Sequence, residues 1–277
     1  MTRAMPVTGV CVDSSGQKTV VPLENNPDVF TALLHDLGGP TTKSLRFHDV
    51  YSVDDAALLA LVPRPVLALV LISPPGPFHV VRAADGRPPS VSEAALTYGK
   101  TGSSSSDEPV LWFRQTIGHA CGLMALIHAA ANSPTACDRL QSGSLLDRLL
   151  RQAAPLAPAA RAALLYDSAE LEETHMRAAV RGDSAAPLAT DPCELHFVAF
   201  VRGRDDHLWE LEGSSDGPID RGPLPEDATG NGDGTRNDML TKEALALGVG
   251  RFLAAAEGDV AFSIIALTSA PEDARGG

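Results

Sequence analysis

Gln115-Thr116-Ile117-Gly118-His119-Ala120-Cys121-Gly122-Leu123-Met124-Ala125-Leu126-Ile127-His128-Ala129-Ala130-Ala131-Asn132 is a polar, glycine-punctuated approach that runs into a cysteine and then into an almost wholly apolar run. A helix apolar on all sides belongs in a protein core. Cys121 therefore reads as the exposed mouth of a buried helix. There the unpaired backbone N–H groups and the positive end of the macrodipole favour a thiolate. A lone cysteine on such a helix is ordinarily a small packing hydrophobe. Gln115 upstream and His196 far downstream lift Cys121 above that reading. His128, inside the apolar run, reads as a hydrogen-bonded core histidine.

Downstream of this helix, residues 142–178 read as two helices, the first with Leu145, Leu146, Leu149 and Leu150 inward. The second has Leu164, Leu165, Ala169 and Leu171 on a partial apolar face. Residues 180–194 are a proline- and small-residue-rich loop. Leu195–Val201 and His207–Leu211 are β-type runs about the turn Gly203-Arg204-Asp205-Asp206. Residues 214–235 read as loop, Lys242–Ala255 as a helix and Val260–Leu267 as a last buried strand.

Upstream, residues 83–109 read as a surface loop with one helical turn near Glu93. Pro65–Ser73 is a continuous apolar run, as for a strand buried on both faces. Asp54 or Asp55 caps a short helix with Leu58, Leu59 and Leu61. Leu45–Tyr51 is a strand. A helix starts at Asn26-Pro27, carries Val29, Phe30, Leu33 and Leu34 on one face, and stops at Gly38-Gly39-Pro40. Lys18–Leu23 is a short strand. The expected organisation is a lead-in over residues 1–16, one catalytic domain over 17–269 and a tail over 270–277.

Pairing about a turn centred between Arg204 and Asp205 makes partner numbers sum to roughly 409. His196 then lies opposite Glu212 or Gly213, at one edge of the sheet. A histidine beside a carboxylate, with a cysteine elsewhere in the chain, is a nucleophile, base and orienter. His196 would take the Cys121 proton and Glu212 would hold the other ring nitrogen. The Gln115 amide and the Cys121 N–H would form an oxyanion hole. Asp216 and Asp220 are the stand-ins should Glu212 point away.

The bulk numbers fit such an enzyme. The chain has 277 residues, is 44% hydrophobic and carries a formal charge of −13. That acidity argues against nucleic acid and for a basic protein surface as partner. The N-terminus lacks the long apolar segment expected of a signal peptide, and no run reaches the length of a membrane span. Cys11, Cys121, Cys137 and Cys193 are scattered and form no C-x-x-C pair, which argues against zinc and against a disulfide framework. The expectation is a reduced, cytoplasmic or nuclear protein without metal or cofactor.

Gln115-Thr116-Ile117-Gly118 with Cys121-Gly122 and Leu126-Ile127-His128-Ala129 resembles the nucleophile segment of the ubiquitin C-terminal hydrolases, the UCH thiol deubiquitinases. Leu195-His196-Phe197 with His207-Leu208-Trp209-Glu210-Leu211-Glu212-Gly213 is similar to their base and orienter block. Pro22-Leu23-Glu24-Asn25-Asn26-Pro27, Asp49-Val50-Tyr51 and Val62-Pro63-Arg64-Pro65-Val66 resemble their N-terminal elements. The likeness spans roughly residues 18–268 with its blocks in the family's order.

What the resemblance implies is an α+β, papain-like UCH fold: a central antiparallel sheet packed by helices, with a crossover loop over the active site. It implies hydrolysis after the C-terminal glycine of ubiquitin through an acyl-enzyme on Cys121, by a monomer whose partner is ubiquitin. Residues 180–194 resemble the crossover loop, and their shortness implies small adducts or unfolded peptides as leaving groups. Two positions depart from the family pattern: Glu212 stands where Asp is usual, and His119 where Asn is common. The alternatives are a ubiquitin-binding protein with weak or lost catalysis, and a hydrolase for another ubiquitin-like tail.

Overall fold

A computed structural model describes residues 10–12, 16–86, 108–225, 238–256 and 261–269. The elements in order are β1 (Cys11–Val12), β2 (Lys18–Thr19), α1 (Pro27–Gly38), β3 (Leu45–Asp49), α2 (Ala56–Leu59), β4 (Val66–Ser73) and α3 (Pro75–Ala84). Then follow α4 (Cys121–Ala131), α5 (Pro134–Asp138), α6 (Leu145–Ala153), α7 (Pro158–Tyr166) and α8 (Ala169–Ala179). The chain closes with β5 (His196–Arg202), β6 (His207–Leu211), β7 (Ile219–Pro223), α9 (Lys242–Leu247), α10 (Val249–Ala254) and β8 (Ser263–Ser269).

The main sheet has six strands in the order β3-β8-β4-β5-β6-β7, every neighbouring pair antiparallel. β4 lies inside it; its pairing with β8 shifts register between Val66 and Ala68, and Leu67, Ala68 and Val70 join the core on one face while Val66, Leu69 and Leu71 join it on the other. Both faces are covered. α1, α4, α6 and α8 supply the core on the first; Phe78 of α3, Leu245 of α9 and Phe252 of α10 supply it on the second. The α+β architecture with a helix-packed antiparallel sheet is thus as expected.

Local chemistry explains the elements that position the site. The Asn26 side chain caps α1 by accepting from the N–H groups of Asp28 and Val29, a cap worth about 1 kcal/mol. Phe30, Leu33, Leu34 and Leu37 are fully buried on its inner face, each stabilising by roughly 1.5–3 kcal/mol. α4 is buried at Gly122 through Ala130, as an all-apolar helix must be.

Several expectations need correction. A helix, α3, with no counterpart among the expected elements, begins inside the Pro74-Pro75-Gly76-Pro77 run and reaches Ala84, within the expected loop; Pro75 stands at its first positions, where the missing N–H costs nothing. Residues 142–178 hold three helices, because Ser168 caps α8 by accepting from Leu171 N–H. β7 lies within the expected loop 214–235, and Gly248 divides the expected helix over 242–255. The β5–β6 register is one residue from the expected one. Ala199 pairs with Leu211 because the turn is centred on Asp205, with Asp206 in the left-handed region at φ 62°. Within the expected lead-in, Cys11–Val12 pairs with Lys18–Thr19. The helical turn expected near Glu93 lies outside the described residues.

Candidate active site

Close contacts at two glycines fix the approach to Cys121. Gly118 bridges Thr19, and a Cβ there would stand 2.6 Å from Thr19 Oγ1. Gly122 packs on Leu23, which a Cβ would meet at 3.1 Å. Between them His119 takes φ +60°, a conformation that Asn and His tolerate better than most residues. The backbone thus accounts for either residue at this position. His119 precedes the helix, and its buried Nδ1 is unpartnered.

Cys121 is the first residue of α4 and is half-buried. The N–H groups of Phe197 and Gly122 point at its sulfur. Burial nevertheless outweighs these donors, and with Cys193 nearby it pushes the thiol up to about 12. Burial thus works against the thiolate expected at the helix mouth, opposing what the helix end returns. Cys193, in the segment between α8 and β5, is close enough for its charge to oppose that of Cys121.

His196 is the first residue of β5, next to the Phe197 that meets Cys121, and it pairs across the sheet with Ser73 at the end of β4. Alternation along β5 turns His196 to the same face as Val198 and Phe200, toward α3. There its ring lies flat on Phe78, with centroids 3.8 Å apart and planes 2° from parallel. Burial holds the imidazole below its ordinary pKa; the Glu212 charge acts against this, and His79 and Arg82 reinforce it.

Glu212 follows the end of β6 and is buried. Its backbone carbonyl accepts from Trp112 Nε1 at 3.1 Å. Its carboxylate accepts from Ser214 N–H at 3.0 Å, Ser214 Oγ at 2.7 Å and Ser215 Oγ at 2.9 Å. Among the described residues no hydrogen bond joins Glu212 to His196, and the two interact through their charges. Asp220 accepts from His207 Nδ1 instead. Ser214 and Ser215 went unnoticed in the sequence, although two hydroxyls just after a glutamate are a ready local anchor.

Gln115 joins the two halves. Its N–H donates to the Gly213 carbonyl at 2.9 Å, and its Nε2 donates to the Ile117 carbonyl at 3.0 Å. A carboxamide nitrogen has two protons, so one stays available after the Ile117 bond is made. Its Oε1 is buried without a partner. The strand-like run leading to Gln115 is held by the fully buried Arg161, which donates to Glu108 at 2.7 Å and to the Trp112 carbonyl at 3.3 Å. His128 is the expected core histidine: fully buried, it accepts from Phe113 N–H at 3.0 Å, and burial lowers it to about 3.

The segment expected as a crossover loop is irregular between Ala179 and His196, and Glu24 anchors its start. The Glu24 carboxylate accepts from Ser184 N–H at 2.8 Å and Asp183 N–H at 3.3 Å. Those amides, Ser184 first, hold its pKa below the ordinary value.

The chain is 33% identical over 212 residues to ubiquitin carboxyl-terminal hydrolase 3 of Arabidopsis thaliana, covering 76% of this chain and 82% of that one. It is 30% identical over 251 residues to ubiquitin carboxyl-terminal hydrolase isozyme L1 of Homo sapiens, covering 90% and 98%. Its fold is similar to the catalytic domain of Trichinella spiralis UCH37, solved bound to ubiquitin vinyl methyl ester, with TM-score 0.62, 18% identity and coverage of 91% and 95%. The family model for ubiquitin carboxyl-terminal hydrolase, family 1, matches residues 20–238, and the chain belongs to that family.

Proposed function

We propose that this protein hydrolyses the bond after the C-terminal glycine of ubiquitin, with Cys121 as nucleophile, His196 as general base and then acid, Gln115 as oxyanion donor and Glu212 as the charge that stabilises the imidazolium. The observation that carries this reading is the start of β5, where His196 adjoins the residue whose N–H meets the Cys121 sulfur.

Cys121 starts as a thiol and His196 as a neutral base, because burial opposes both charges. Attack and proton transfer are then coupled: sulfur bonds to the glycine carbonyl carbon as the thiol proton passes to His196. Negative charge gathers on the carbonyl oxygen, where the free Gln115 N–H and the Cys121 N–H receive it. His196 protonates the leaving nitrogen, whose bond to the carbonyl carbon breaks, and a thioester remains. Water, deprotonated by His196, attacks the thioester; ubiquitin is released and Cys121 regains its proton.

The groove beside the anchored loop, about 570 Å³, is lined by Glu24, Asp28, Asp49 and Asp183 together with Arg46 and Tyr51. Its acids suit the basic tail of ubiquitin, an attraction that salt weakens. Small adducts and unfolded peptides are the proposed leaving groups. The four free cysteines suit a reducing cytoplasmic or nuclear compartment.

A second reading, a ubiquitin-binding protein with weak catalysis, is favoured by the bonding of Glu212 to Ser214 and Ser215. Labelling with ubiquitin carrying a C-terminal electrophile separates the two. The hydrolase forms an adduct that Cys121→Ala abolishes, whereas binding without adduct supports the second reading.

A further inference from the structure

We propose that Phe78 is a positioning residue for the reaction, its ring fixing the plane of the His196 imidazole from the face that no hydrogen bond holds. The inference rests on His196 being the base. Phe78 is fully buried, and its ring carries two partners. The His196 ring lies on it at 3.8 Å, and the Arg82 guanidinium carbon stands over it at 4.5 Å from the centroid. The Phe78 ring thus meets both the imidazole and the guanidinium.

Arg82 is itself buried. Its side chain is 2% exposed and ion-paired at 2.5 Å to the fully buried Glu210. Glu210 also takes Arg221, which makes two bonds of 2.7 Å to Asp85. This network ties α3, which carries the ring behind His196, to β6 and β7. Glu212, the residue expected to orient the imidazole, spends its carboxylate on Ser214 and Ser215. The plane of the base is thus set by an aromatic wall, leaving its edges free for the thiol and for the Glu212 charge. A face-on ring also meets the imidazolium that forms during attack with its negative quadrupole.

The test has two parts. In the NMR spectrum of the wild-type protein, assigned by difference from His196→Gln, the His196 ring protons are expected upfield through the Phe78 ring current. This readout depends neither on turnover nor on a variant of Phe78. Phe78→Leu, which keeps an apolar side chain and removes the ring, is expected to return those protons to ordinary positions. It should lower kcat for ubiquitin–fluorophore hydrolysis by roughly ten- to a hundredfold with KM unchanged, the signature of a misplaced group and not of lost binding. Its acid limb should move to higher pH as water reaches the ring. Ordinary shifts for His196 in the wild type overturn the proposal. So does a Phe78→Leu enzyme with wild-type kcat, or one whose kcat loss comes with an equal loss of ubiquitin affinity. A wild-type enzyme that shows the shifts but no turnover refutes the proposed activity and leaves the stack established.

Discussion

Gly213→Ala separates a spatial requirement from a conformational one. Gly213 follows Glu212, and its carbonyl receives the Gln115 N–H at 2.9 Å. A Cβ at this position would stand 2.7 Å from Gln115 Cβ and 3.0 Å from Gln115 N. Relaxed carbon contacts lie near 3.5–4.0 Å, so the two segments must part by about 1 Å. Overpacking of this kind costs about 1–3 kcal/mol in stability. For a chain this long that is a melting-point loss of about 2–5 °C. The kinetic effect should be larger, because the displaced residue is the oxyanion donor. A shift of about 1 Å in such a group costs up to ~100-fold in kcat. The acidic groove is elsewhere, so KM should hold. The assay is steady-state hydrolysis of a ubiquitin–fluorophore conjugate beside a thermal melt. A variant with unchanged kcat and a lowered melting point would refute the coupling between Gly213 and a catalytic Gln115.

Three further outcomes follow from the same geometry. With the Cys121 thiol near 12, alkylation of the free enzyme by iodoacetamide should climb about tenfold per pH unit from pH 7 to beyond pH 10; a plateau below pH 8 would mean a preformed thiolate. Because burial lowers the His196 pKa, its neutral form is complete at lower pH than for an ordinary histidine. The acid limb of kcat/KM should accordingly fall below pH 6.5, and a limb above that value contradicts the burial argument. Glu24→Ala frees the amides of Asp183 and Ser184, so limited proteolysis within residues 180–195 should quicken while the melting point barely moves; unchanged cleavage would show that Glu24 does not anchor the segment.

Much of the fold is written locally. The ends of α1 were legible because Asn26 caps, Pro27 starts and Gly38-Gly39-Pro40 stops it, each by its own backbone chemistry. The unbroken apolar run of β4 announced a strand buried on both faces. α3 was hidden because prolines mark both loops and first helical turns, and only the chain beyond them decides. With α3 were hidden Phe78 and Arg82, whose relation to His196 is tertiary. The α+β architecture was implied by the family resemblance, and the candidate positions of Cys121, His196 and Gln115 could be named from residue order. The partners of Glu212 could not, since a carboxylate chooses between His196 and the nearby Ser214 and Ser215 only once the turn is built. The thiolate expectation weighs a helix end, which is visible in sequence, whereas the burial that opposes the charge is not.

The central claim is that Cys121 acts on the ubiquitin C-terminus, and fluorophore release from that terminus tests it most directly, with Cys121→Ala as the blank. The account predicts turnover by the intact protein that vanishes in the blank. A folded protein that binds ubiquitin yet releases no fluorophore, or a blank that turns over as fast as the wild type, would contradict it.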